Sequence, residues 1–274
     1  MKRKYMIIGF FAYCLLFISI NKTVGQPFDK PISFTAKLNA IEKVPIIDMP
    51  GFNLDKVLKK DSLRRAKGID VMRYAKPLGV NVNIKEKAMV ESLPEGGKVY
   101  RLGIRSKEAH SINAFFDDNF HIDKDSKLFV YSLDKKQVNG PFSHHDTREN
   151  RKFHIRPVKG DVVIFEIYEP NPPGSDNKFV ISRVNHDYRG VFKYLEEDGV
   201  GRYGLSGECN VDINCSEGDD WQIEKQSVCL IDVYGAQWGS GALINNTAHD
   251  GTPYVLSAYH CYTTEEGATI EINP

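Results

Sequence analysis

The sequence predicts an all-β chain, an antiparallel β-sandwich followed by the beginning of a second β domain. Three observations carry that expectation. Residues 98–184 break into six short stretches of period-two alternation, punctuated by Gly and Pro and free of intervening helical repeats. The cysteines beyond residue 25 are Cys209, Cys215, Cys229 and Cys261, all in the last quarter, so a cysteine-free region precedes a cysteine-bearing one. After Cys215 the strand pattern returns, with residues 227–235, 241–246 and 254–258 reading as three consecutive antiparallel strands.

The first 25 residues stand apart from this pattern. Lys2, Arg3 and Lys4 form a basic start, residues 6–20 an apolar run too short to span a bilayer comfortably, and Thr23, Val24 and Gly25 a small-residue exit. These are the marks of a secretory signal peptide over residues 1–25, cut after Gly25 and leading to the extracellular space. Cys14 has no lipobox around it, which argues against a lipoprotein. The 36 Lys and Arg balance the 36 Asp and Glu. No strong field therefore points to nucleic acid or, once the leader is removed, to a membrane. About 250 residues remain, enough for one large or two ordinary domains.

Residues 26–97 are mixed and weakly patterned, an N-terminal segment to which no function is assigned. Within it residues 53–68 read as a short amphipathic helix with Leu54, Val57, Leu58 and Leu63 inward and a solvated basic face. The sandwich is expected over residues 98–190. Tyr100, Leu102 and Ile104 share one strand face, and Ile112, Ala114 and Phe116 another. Further strands are expected at 127–133, 152–158, 162–170 and 179–184, with a turn at Asn139-Gly140 and a Pro- and Gly-rich loop at 171–177. Such a fold also serves binding modules, so it decides nothing about function by itself. Residues 191–203 read as a linker or processing region with Arg202 as an available basic cleavage residue, and residues 204–274 as the second β unit.

Clustered cysteines in an exported chain favour disulfides, and four cysteines allow three pairings between which the residues themselves do not choose. The run "YVLSAYHC" delivers His260 and Cys261 just beyond a strand end, where functional side chains tend to be displayed.

Two blocks together are more specific than His-Cys alone. "GLSGECNVDINCSEGD" (204–219) followed by "SGALINNTAHDGTPYVLSAYHC" (240–261) resembles the start of the lysyl endopeptidase-like branch of the chymotrypsin-fold serine proteases. That branch opens on G-x-S-G-x-C-N-x-D-x-x-C-x-E-G-D and later carries T-G-x-L-(I/V)-N-N-T leading to L-T-A-x-H-C. The strands before the first block are similar to the β-sandwich region preceding the protease in many secreted members. The resemblance implies a precursor whose sandwich is a pro-region, able to pack on the protease domain, and whose residues 204–274 are the N-terminal part of a trypsin-like β-barrel. It implies His260 as general base and acid, a role that needs a near-neutral pKa and a fixed ring. Protein or peptide substrates cut after Lys or Arg are implied, with no cofactor and no metal.

The departures are specific. Ser257 stands where the branch has threonine, which keeps a hydroxyl. Gly239 stands where members commonly carry the cysteine that pairs with the one after the histidine, so Cys229, ten residues upstream, becomes the candidate partner of Cys261 if their strands are adjacent. The resemblance pairs Cys209 and Cys215 with later parts of the protease. It also puts the serine, the aspartate and the oxyanion hole after the histidine. The 274 residues are therefore expected to be an N-terminal fragment without peptidase activity of its own. The alternatives are a secreted β-sandwich binding module and a non-catalytic pseudoprotease. Metal binding by His144, His145 and Asp146, or by His260 and Cys261, lacks zinc-site spacing, and Cys261 served by His260 fails because neighbours in an extended segment point apart.

Overall fold

Residues 30–67, 72–147, 152–170, 176–194, 211, 213–248 and 250–258 are described by the structure, a computed structural model. Their strands form three sheets. The first contains β1 (Ile46–Asp48), β4 (Met89–Ser92), β5 (Lys98–Arg105), β7 (Lys127–Ser132), β8 (Val138–Phe142) and β10 (Val162–Glu169), in the order β1-β5-β10-β7-β8 with β4 also on β5. The second contains β3 (Ala75–Asn83), β6 (Ser111–Phe116), β9 (Val158–Lys159) and β11 (Val180–Asp187), in the order β3-β11-β6-β9. The third contains β2 (Met72–Arg73), β12 (Val228–Val233), β13 (Gln237–Ile244) and β14 (Tyr254–Ser257), in the order β12-β13-β14 with β2 also on β13. β1 runs parallel to β5, while the other ladders are antiparallel, so the expected all-β class holds; no sheet closes into a barrel among the described residues.

The first two sheets pack face to face around one core. Leu102, Ile104, Leu128, Val130, Val163, Phe165 and Ile167 from one sheet meet Ile112, Ala114, Phe116, Ile181 and Val184 from the other. β10 is buried along its whole length, and this explains why its sequence is a nearly unbroken apolar run. Its outward residues Val162 and Ile164 pack with Val44, Phe129 and Tyr131 under the N-terminal segment. Glu166 on the same strand is fully buried and accepts from the Ser33 backbone N–H at 3.1 Å and from the Tyr131 hydroxyl at 2.9 Å. These donors replace the water lost on burial.

The strands at 98–105, 111–116, 127–132, 162–169 and 180–187 lie where the alternation put them. Three features of the strands differ from expectation. β1, β3 and β4 come from the segment read as separate from the sandwich, so its sheets begin well before residue 98. Residues 152–158 form only a bridge from His154 to Phe115 and the first residue of β9, since Pro157 has no N–H to give a ladder. Asn139-Gly140 lies within β8, at the sheet edge where Pro141 is tolerated. The expected helix is α1 (Leu54–Ala66), capped by the Asn53 side chain, yet only Val57 is buried while Leu54, Leu58 and Leu63 are exposed. Among the described residues no helix is long and apolar enough to cross a membrane.

Candidate functional site

The second sequence block runs through β13 and β14 of the third sheet, and the described part of the first lies in the turn that precedes β12. In the first, Gly218 packs on the backbone of Ile213, where a Cβ would lie 2.2 Å from the Ile213 carbonyl oxygen, and Gln222 Nε2 donates to that oxygen at 2.9 Å. In the second, Gly241 sits between Ile231 and Val255, with a Cβ position only 2.6 Å from Ile231 Cδ1. Both glycines thus have a steric reason. The turn before β14 is organised by Asp250, which accepts from the Thr252 N–H at 2.9 Å and from Asn246 Nδ2 at 2.7 Å. Hydrogen bonds from Thr252 and Asn246 hold its carboxyl down at about 2.

β14 then leads toward His260. Ser257 pairs with Gly241 and its hydroxyl donates to the Ser240 carbonyl at 2.8 Å, so the position where the branch has threonine keeps its hydrogen bond. His260 itself, with Cys261 and Cys209, lies outside the described residues. Tyr254, Val255 and Leu256 are exposed, because no second layer covers this sheet among the described residues. Cys215 and Cys229 form no disulfide with each other. The adjacency on which a Cys229–Cys261 bridge depended is absent over the described strands: β13 separates β12 from β14, with Cys229 and Ser257 both paired to Gly241. Two strand spacings of about 4.8 Å each exceed the roughly 7 Å Cα limit of a disulfide, so that pairing would need the chain beyond Ala258 to come back across β13.

Asp232 on β12 faces the sandwich, where the Tyr74 hydroxyl lies 3.2 Å from both its carboxylate oxygens. Burial pushes this carboxyl up to about 6, against the opposing pull of the Tyr74 and Gly235 hydrogen bonds and the Arg183 charge. Burial, reinforced by Asp232, also pushes the Tyr74 phenol up, so it remains the donor.

A serine, a histidine and an aspartate also meet inside the sandwich, but not as a triad. Ser106 Oγ lies 2.8 Å from His186 Nδ1, and both residues are buried. Asp187, the next residue, instead accepts from Ser111 Oγ at 2.7 Å and from the N–H groups of Arg189, Gly190 and Val191. A nucleophile must be reachable, and Ser106 is not. Asp146 of the His144-His145 cluster caps its own turn, accepting from the Ser143 N–H at 2.7 Å. Among the described residues no group of three or more metal-ligating side chains converges.

The residues that sequence reasoning missed are Tyr74, Asn113, Asn185, Asp232 and Gly235. Tyr74 and Asp232 are 158 residues apart in the chain, and the group meets where the third sheet touches the sandwich. The family described as "Lysyl endopeptidase, C-terminal domain" matches residues 203–273, a span that holds both sequence blocks and β12 to β14, and this match supports a lysyl endopeptidase-like protein. No solved structure matches the chain.

Proposed function

We propose that residues 204–274 are the N-terminal part of the catalytic domain of a secreted trypsin-like serine endopeptidase, and that residues 26–190 are its pro-region. The observation that carries this reading is the family match over 203–273, coincident with an antiparallel β12-β13-β14 meander whose last strand points the chain toward His260. His260 is the general base that takes the serine proton and the acid that returns it to the leaving amine. Cleavage after Lys, or Arg, follows from the family likeness. The exposed apolar residues of the third sheet, Leu230, Leu243, Ile244, Val255 and Leu256, fit a sheet that packs within a larger barrel.

The test is His260→Ala in the full-length secreted protein, assayed on lysyl and arginyl peptide substrates. The expected result is loss of kcat by roughly four to six orders of magnitude with the fold unchanged. Retained cleavage removes His260 from the mechanism.

A second reading, a β-sandwich binding module, is favoured by one observation: the sandwich completes its own core, with buried residues from both sheets. A chain of residues 26–202 that folds and retains a ligand supports it.

A further inference from the structure

The turn between β12 and β13 meets the sandwich in a way that neither sheet explains alone. Tyr234 and Gly235 both have left-handed backbones, with φ of 53° and 61°. Only glycine adopts that conformation freely, so Tyr234 needs a compensating contact. It has several. The Arg183 guanidinium lies 3.8 Å from the Phe115 ring centroid and 5.7 Å from that of Tyr234. The Tyr234 carbonyl accepts from Asn185 Nδ2 at 2.9 Å and from Arg183 Nη2 at 3.3 Å. The Gly235 carbonyl accepts from Asn113 Nδ2 and Asn185 Nδ2, each at 2.9 Å.

Asn113 and Asn185 are cross-strand partners on β6 and β11, each almost wholly buried. Asparagine is a poor strand residue, and a sandwich has no use of its own for two of them face to face. Among the described residues their Oδ1 atoms, and the Nε of Arg183, have no hydrogen-bond partner. The fit is also tight: a Cβ on Gly235 would lie 2.4 Å from Asn113 Nδ2 and 2.7 Å from Asn185 Nδ2. Beside the turn, the N–H groups of Tyr74 and Ala75 donate to the Ala236 carbonyl at 2.8 and 3.1 Å, and Tyr74 stacks on Trp238 at 5.6 Å.

We propose that the β3-β11-β6 face of the sandwich is a receptor for the Tyr234–Gly235 turn, and that this latch holds the 213–258 segment to the sandwich without a covalent link. The receptor reads two consecutive outward carbonyls and the absence of a side chain at the second residue. If residues 26–190 are a pro-region, cutting the connection would then leave it bound, so cleavage and release are separate events.

The test uses the full chain with a site-specific protease sequence inserted between Asp198 and Gly199. After the cut, the two fragments are expected to co-elute in size-exclusion chromatography, and Gly235→Val to separate them. Because valine at a left-handed position strains the hairpin itself, Asn185→Ala is made in parallel. That change leaves the turn intact, and it is expected to speed fragment dissociation about tenfold or more while the uncut chain keeps its circular dichroism. Wild-type fragments that part on cutting, in solution or by precipitation, overturn the latch. Wild-type dissociation rates in both variants overturn it too. The readout is independent of peptidase activity, so this proposal and the protease reading fail by different results.

Discussion

The sandwich and the third sheet use the same strand grammar and reach opposite states of burial. β6, β7 and β10 are buried almost residue for residue, while β12 and β14 leave most of their apolar side chains in contact with solvent. The difference lies in the layer opposite. The first two sheets cover each other and the N-terminal segment covers β10 again, whereas the third sheet touches the sandwich at one corner through β2, Tyr74 and the Tyr234–Gly235 turn. Alternation therefore sets which face a side chain takes, and only a second layer makes that face an interior.

The largest expected effect breaks the comparison at its buried end. Phe165→Ala, at the centre of the sandwich core, should cost about 3–5 kcal/mol of unfolding free energy in a denaturant titration. A cost near zero would mean that the two sheets do not share that core.

Next comes the anchor that ties α1 to the chain leaving β11. Asp61 accepts from Arg73 Nη2 at 2.5 Å, from Arg189 Nη2 at 2.9 Å and from the Tyr188 hydroxyl at 2.8 Å. Burial pushes its carboxyl up, but those hydrogen bonds and the Arg73 charge outweigh burial and leave it below 3.8. Asp61→Ala leaves two arginines without their shared partner and should cost roughly 3 kcal/mol. The contribution of the carboxylate is present above pH 3.8 and should fade only below it, so an acid titration of wild type and variant should converge there.

A pH contrast sharpens the comparison further, because the two regions respond with opposite sign. Burial holds His186 below 6.5, so the folded sandwich binds fewer protons there than the unfolded chain and loses stability as pH falls below 6.5. Asp232 is raised to about 6, so its docked state binds more protons. Its contribution is full below pH 3.8 and is lost as pH rises through about 6, and the part of Asp232 exposed to water reduces its size. Hydrogen exchange corrected for intrinsic rates should show β12 and β13 better protected at pH 5 than at pH 7.5 relative to β6 and β11. The reverse ordering would break the contrast.

The smallest effect belongs to Leu256→Ala. With 62% of its surface exposed, the residue should change the stability of this chain by no more than about 0.5 kcal/mol.

Much of the sandwich was legible because its strands obey a local rule. Period two in residues 98–105, 111–116 and 162–169 needs no knowledge of neighbours. Pro77 and Gly79 interrupt the pattern of β3, and they are tolerated because, among the described residues, β3 is an edge strand paired to β11 alone. The motif blocks around Gly218 and Gly241 were equally legible, since each glycine answers a contact set within its own unit.

What the sequence determined alone is the all-β class, most strand positions and the two blocks that single out His260, because all of these are written in residues close along the chain. Only the tertiary structure decided that the third sheet lies open and that Asn113 and Asn185 close on the Gly235 carbonyl. Burial and convergence depend on residues from 50 to 122 positions apart meeting in space, and no local pattern of side chains encodes that distance.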